Sequence, residues 1–241
     1  MKAIIFAAGL GTRLKPITEK IPKALVEING KPLLEYAIRR LINTGVTEII
    51  INVHHFANQI IDFVHANNNF DIRIEFSDEQ DLLLDTGGGI KKAAWFFNDN
   101  RPFFAYNVDI ISDIDLELMY SQHLQSQAIV TLFVSNRETS RYLLFNEKNQ
   151  LKGWYNKKTG ECKPEQLNLN PAQFRQLAFN GIHVIDPCIF PLMDEWPEKF
   201  SIIDFYLSAA QKNNIQSFQQ DSVKIIDVGK PETLAEARKE N

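Results

Sequence analysis

"KAIIFAAGLGTRL", residues 2–14, decides the fold. An apolar run of strand type, "KAIIFAA" (2–8), passes directly into Gly-x-Gly-Thr-Arg. Unbroken apolar residues suit a strand buried on both faces, as in a parallel sheet. Glycine admits φ > 0 and the close approach of a ligand. A turn of successive backbone N–H groups at a strand end forms a nest for anions. Ten residues after Arg13, Pro22-Lys23 adds a second cation.

Outward from this stretch, strand-type and helix-type patterns alternate. Residues 32–45 have helical spacing, with Pro32 near the start and Gly45 at the end. Strands are predicted at 47–53, 71–77, 101–109 and 128–135, and helices at 56–68, 88–97 and 115–127. This order predicts an α/β fold: a Rossmann-like, doubly wound, mostly parallel sheet with helices on both faces. Ligands of such sheets bind beyond the strand C-termini. After residue 135 the pattern changes. Residues 141–161 read as a hairpin-like insertion, 177–186 as a core strand, 201–213 as a helix, 223–229 as a late strand and 231–240 as a final helix. The expectation is a single domain over 1–241, with a nucleotide-binding half (1–135) and a second half (136–241) carrying a small β-rich lid.

The bulk composition narrows the partners. The 241 residues are 44% hydrophobic and 23% charged, enough apolar material for a sizeable core. A net charge of −4 argues against coating a nucleic acid. A mildly acidic chain can still bind a polyphosphate through a metal and a local cationic site. Two cysteines, Cys162 and Cys188, lack metal-site spacing, and a reducing cytoplasm is expected. No apolar segment is long enough to span a bilayer, so no membrane partner is expected.

The loop fits neither common phosphate fingerprint. Walker A is absent, and Leu14 stands where a dinucleotide loop needs its third glycine. "AAGLGTRLKPITEKIPKAL" (7–25) instead resembles the signature of the sugar nucleotidyltransferases, roughly G-x-G-[TS]-R-[LM]-x-P-x-T followed by P-K. "INGKPLLEYAIRRL" (28–41) continues the likeness, which extends over essentially the whole chain. "LDTGGGIKKA" (84–93) is most similar to members that uridylylate N-acetylmuramate 1-phosphate.

The resemblance implies a nucleotidyltransferase (GT-A-like) fold and a reaction. A sugar 1-phosphate attacks the α-phosphorus of a nucleoside triphosphate, UTP by the likeness, and pyrophosphate leaves. It implies Arg13 and Lys23 as catalytic cations. Nucleotide contacts fall to Ala8, Gly9, Gly11, Thr12, Gln80, Thr86 and Gly87, and sugar contacts to Asn107, Arg141, Asn180 and Gly181. Mg²⁺ would be held by Asp109 and Asp227, each ending a strand. Arg141 suits an acidic sugar substituent, or is a solvated hairpin charge. Two departures stand out: Val108 replaces a glycine common before the first aspartate, and the Glu-Lys-Pro sugar motif of many relatives is missing. His54 and His55 are adjacent on an extended segment and face opposite ways, which argues against one shared metal. His65, His123 and His183 read as structural or solvated, and "AAWFF" (93–97) as helix core.

Alternatives stay open at this stage. Guanylyl transfer to mannose 1-phosphate is a neighbouring alternative. Cytidylyl transfer to phosphocholine would need an aromatic cage, for which Trp154 and Tyr155 are candidates. A non-catalytic sensor of nucleotide sugars would be expected to lose Arg13, Lys23 or an aspartate, and all are present. The sequence ends after one helix, which sets the expectation of no acyltransferase-type β-helix domain. A monomer or small homo-oligomer is expected.

Overall fold

The computed structural model describes residues 1–240, without the side chain of residue 240. The first half is β1 (Lys2–Phe6), a two-residue hairpin of β2 (Glu27–Ile28) and β3 (Lys31–Pro32), α1 (Leu33–Asn43), β4 (Glu48–Val53), α2 (Ala57–Ala66), β5 (Arg73–Asp78), α3 (Asp85–Lys92), β6 (Phe103–Asn107), β7 (Ile110–Ser112), α4 (Leu116–Gln125) and β8 (Val130–Ser135). The second half is β9 (Arg141–Phe145), β10 (Leu151–Asn156), β11 (Cys162–Lys163), β12 (Arg175–Ile185), α5 (Ile202–Ala209), β13 (Ile215–Phe218), β14 (Ile225–Asp227) and α6 (Pro231–Glu240).

Strands β5, β4, β1 and β6 lie side by side and parallel. Their alternation builds two cores. Ala3, Ile5, Ile49, Ile51, Phe104 and Tyr106 face α1, α2 and α4, while Ile4, Ile50, Phe103 and Ala105 face α3 and α5. Period-two burial on both faces is what the apolar runs predicted. Helix α1 starts after Pro32, and the chain turns out of it at Gly45, with φ of 83°.

The sequence pattern placed β8 next in the parallel series. The structure inserts β12 there, antiparallel to both β6 and β8, and adds β13 parallel to β8. Strand β12 reaches into two layers. Ile182–Ile185 pair with β6, whereas Arg175–Leu177 pair with β9 of the lid, which continues to β10 and β11. The change of layer falls where the register shifts between Phe179 and His183. Gly181 lies in this bend at φ 70°. The expected lid hairpin is thus β9–β10, tied to the main sheet by one bent strand.

Several boundaries differ from expectation. Helix α3 begins at Asp85 rather than 88 and ends at Lys92. Phe96 and Phe97 are buried beyond it, but Trp95 is 54% exposed, so only part of "AAWFF" is core. Strand β14 pairs with β7, which the sequence pattern did not mark. Among the described residues no helix is long and apolar enough to cross a membrane.

Candidate active site

The C-terminal ends of the four parallel strands form a cavity of about 430 Å³. Phe6, Ala7, Ala8 and Gly9 enter it from β1, Asn52 from β4, Glu79 from β5, and Asn107, Val108 and Asp109 from β6. Leu83, Asp85 and Thr86 close it from the start of α3.

The loop after β1 folds back on itself. Gly11 has φ of 63°, and its carbonyl accepts from the Thr18 hydroxyl at 2.8 Å. A Cβ at Gly11 would stand 2.9 Å from Thr18 Cγ2 and 3.1 Å from Lys23 Cβ. Glycine is therefore required for both backbone angle and space. This fold carries Lys23 under the loop, where its ammonium pairs with Asp109 Oδ2. The carboxyl of Glu79 is held above the ordinary range by burial, opposed by hydrogen bonds from Asn52 and the Leu84 N–H.

Asp109 and Asp227 come from neighbouring chain segments: the Val228 N–H donates to the Asp109 carbonyl at 2.9 Å, and Asp227 lies opposite Ile110. Asp227 Oδ1 is buried without a hydrogen-bond partner. An orphan carboxylate oxygen is costly unless something completes it. Arg13 is its neighbour: a Cβ at Gly229 would stand 2.7 Å from Asp227 Oδ1 and 2.8 Å from Arg13 Nη2.

Asp227 and Arg13 open into a second cavity of about 810 Å³, with the lid as its far wall. Ser201 lines both cavities. The second contains Arg137 and Arg141, Trp154, Lys163 and Asp204, and Lys230. Lys163 Nζ is neutralised by Asp204 at 3.1 Å and lies over the Trp154 ring at 5.4 Å. Arg13, Arg137, Arg141 and Lys230 form no ion pair among the described residues. Arg137 is instead anchored to the bend of β12, donating from Nε to Asn180 Oδ1 at 2.9 Å and from Nη2 to the Phe179 carbonyl at 3.0 Å.

The structure brings most of the expected residues together. Ala8, Gly9, Lys23, Thr86, Asn107 and Asp109 line the first cavity, and Arg13, Arg141 and Asp227 the second. Gly11 and Thr12 sit in the loop behind. Gly181 lies under Asn107, whose Nδ2 would be 2.6 Å from a Cβ there. Asn180 is buried beside Arg137 and Ser135, outside both linings. Gln80 is exposed, and its side chain donates to Asp78 Oδ2 at 2.7 Å. Gly87 faces away from the cavity. Its N–H donates to the Phe200 carbonyl at 3.0 Å, and a Cβ would collide with the Phe200 ring at 2.4 Å. That glycine lets the 198–200 segment approach α3. His54 bonds the Glu79 carbonyl at 2.7 Å, and His55 is exposed against Phe56.

Sequence reasoning missed Asn52, Glu79, Arg137, Lys163, Asp204, Lys230 and Ser201. Asn52 and Glu79 carried one readable signal: each is a polar residue at the C-terminal end of an apolar strand, the edge where ligands bind.

A family model described as nucleotidyl transferase matches residues 2–241. The chain is 41% identical over 111 residues, 45% of its length, to an N-acetylmuramate alpha-1-phosphate uridylyltransferase of Caulobacter vibrioides. It is 29% identical over 235 residues, 96% of its length, to a mannose-1-phosphate guanyltransferase of Yarrowia lipolytica. These matches span only 46% and 61% of the two relatives. Among solved structures, HddC from Yersinia pseudotuberculosis complexed with GMP-PN has a TM-score of 0.77 at 26% identity, covering 99% of this chain and 98% of that one. A UDP-glucose pyrophosphorylase complexed with UDP-glucose has a TM-score of 0.79 at 20% identity, with 99% and 97% covered, a likeness of fold. Matched to that family model over residues 2–241, the chain belongs to the nucleotidyl transferase family.

Proposed function

We propose that the chain transfers the uridylyl group of UTP to a sugar 1-phosphate bearing an acidic substituent, N-acetylmuramate 1-phosphate being the leading candidate, and releases pyrophosphate. The observation that carries this reading is the second cavity. It is lined by Asp227 and, besides Arg13, by Arg137, Arg141 and Lys230, none in an ion pair among the described residues. A neutral sugar supplies one anionic group, its phosphate; an acidic sugar supplies a second, at the lid end where Arg141 lies. The similarity to the Caulobacter uridylyltransferase supports the same choice.

A phosphate oxygen of the acceptor attacks the α-phosphorus. The new P–O bond forms as the α–β bridging P–O bond breaks, and its electron pair leaves on pyrophosphate. The nucleophile is already an anion, so positioning and charge neutralisation carry the catalysis. Lys23, held by Asp109, meets the α-phosphate from under the loop. Arg13 stabilises the charge developing on pyrophosphate.

Asp109 and Asp227 fit a Mg²⁺ ion. The donors are hard oxygens, and Asp227 Oδ1 is buried without a partner. No cluster of three or more ligating side chains occurs among the described residues, so substrate phosphates and water must complete the shell. Bound there, the ion would neutralise phosphate oxygens at the reacting centre.

A second reading, guanylyl transfer to mannose 1-phosphate, is favoured by the 235-residue match to the Yarrowia enzyme. The phosphocholine alternative keeps one of its two aromatic candidates, beside Tyr142 and Phe179 in the same lining. Trp154 and Tyr155 are consecutive in β10 and face opposite sides, and only Trp154 lines the cavity, with a lysine already over its ring.

Pyrophosphate release with Mg²⁺ decides among these. UTP, GTP, CTP and dTTP are tested against N-acetylmuramate, glucose, N-acetylglucosamine and mannose 1-phosphates and phosphocholine. UTP with N-acetylmuramate 1-phosphate should dominate. GTP with mannose 1-phosphate dominating would establish the second reading. A blank grid from folded protein that still binds nucleotide would leave an acceptor outside the grid or a sensor.

A further inference from the structure

The first cavity stands on a buried hydrogen-bond chain that the proposed chemistry does not use. Asn52 and Glu79 are 3% and 1% exposed. Asn52 Oδ1 accepts from the N–H groups of Ala7 at 2.7 Å and Ala8 at 3.3 Å. Its Nδ2 donates to Glu79 Oε1 at 2.9 Å, and Glu79 Oε2 accepts from the Leu84 N–H at 3.1 Å. The chain therefore runs from the glycine loop, across β4 and the end of β5, to the start of α3. Those are the two walls between which a nucleotide would lie. Helix α3 rests directly on the pair: a Cβ at Gly89 would stand 2.9 Å from Glu79 Oε1 and 3.2 Å from Asn52 Nδ2.

The polarity of this chain is fixed. Two N–H donors face one oxygen of Asn52, so its amide has a single satisfied orientation. Both Glu79 oxygens are engaged, which leaves the side chain little to offer a base. A buried carboxylate with no ion pair among the described residues is costly.

We infer that Glu79 and Asn52 are positioning residues for the nucleoside triphosphate: together they lock the glycine loop and the opening of α3 at one spacing. This rests on the nucleotide reading of the first cavity.

Exchanging the polarity tests it. Asn52→Asp sets two carboxylates face to face. Glu79→Gln sets an amide N–H against either Asn52 Nδ2 or the Leu84 N–H. The double variant Asn52→Asp/Glu79→Gln satisfies every group again: Asp accepts from the loop and from Gln, and Gln accepts from Leu84. Binding of UTP with Mg²⁺ is measured by calorimetry beside the melting temperature. Each single variant should weaken UTP about ten-fold or more, and the double should return to within about three-fold of the wild type. Single variants that melt earlier but bind UTP normally would show a merely structural role and overturn the inference. So would a folded double variant as weak as the poorer single, or one that does not fold. If the singles do not fold, a folded double with wild-type affinity supports it.

Amide exchange at Ala7, Ala8 and Leu84 reads the same link without ligand. Protection should fall in the singles and return in the double; unchanged protection in the singles overturns the inference. A wild type that binds no nucleoside triphosphate while showing this exchange pattern would remove the nucleotide reading and keep the mechanical link.

Discussion

The two cavities meet at Ser201 and are built by opposite means. The first lies across four parallel strand ends, and the polar groups beneath it are buried and bonded to one another. The second is walled by a turn and an antiparallel lid, and Arg13, Arg137 and Arg141 stand in solvent. Buried polar networks are stiff because each group must keep its partner. An exposed arginine can be replaced without disturbing the core. On the proposed function, the difference gives rigidity to the nucleotide side and adaptable selectivity to the acceptor side. It suits a family whose relatives carry different sugar phosphates in their names.

The largest effect should come where the two regions meet. Asp227→Asn should lower turnover roughly a thousand-fold, the several kcal/mol of charge stabilisation that a metal supplies. The melting temperature should hold, because Asp227 Oδ1 has no hydrogen bond to lose. Asp109→Asn should be as damaging but less clean, since it also frees Lys23. Turnover and thermal melting measured together check this, and near-normal turnover in Asp227→Asn would remove the metal assignment. Next comes Arg13→Ala, with an expected loss in kcat/KM of about 10²–10³, or ~2.7–4 kcal/mol, by analogy with one preorganised donor. Unchanged kcat/KM for pyrophosphate release would make the loop arginine a bystander.

These two sites were also the most legible in the sequence. The loop is contiguous, and both aspartates end apolar strands, so local pattern sufficed. The strands of the parallel half were legible for the same reason: Ile4, Ile5, Ile50 and Ile51 announce burial on both faces. The bend of β12 was not: Gly181 within the strand signals a bulge, but no local pattern says that the two ends pair in different layers. Strand β7 is three residues long and exists through its pairing with β14, over a hundred residues away. Lys163 reads as an ordinary hairpin charge until the fold places Asp204 beside it. Arg137 likewise gains meaning only from the Asn180 side chain and the Phe179 carbonyl that hold it.

The acceptor side offers a gentler test. Arg141→Ala should reduce kcat/KM for N-acetylmuramate 1-phosphate about ten-fold, the order of one charge-assisted hydrogen bond. Glucose 1-phosphate should be nearly unaffected. Equal losses for both would place Arg141 on the shared phosphate instead and end its role in selectivity.

Acid should separate the two regions with the smallest signal. Burial pushes His183 down to about 3 and His123 down to about 4. His183 lies on β12, whose other end pairs with the lid strand β9, and His123 joins α4 to Thr131 of β8, which pairs with β12; neither lines the second cavity itself. A histidine held neutral by the fold takes up a proton more readily when unfolded. Its contribution is therefore full above the unfolded value near 6.5 and is lost as pH falls towards 4 and 3. Glu79 has the opposite sign. Its folded carboxyl is raised by burial, so acid relieves a buried charge beneath the first cavity instead of creating one. Between about pH 7.5 and about pH 5, amides of β8 and β12 should lose more protection than those of β1 and β4, after correction for intrinsic exchange. His123→Gln keeps a hydrogen-bonding group facing Thr131 without a titrating ring and should remove part of that difference. Equal loss of protection in both regions would mean that one cooperative unit carries them, and the contrast between a stiff nucleotide side and a yielding acceptor side would then lie in side chains alone.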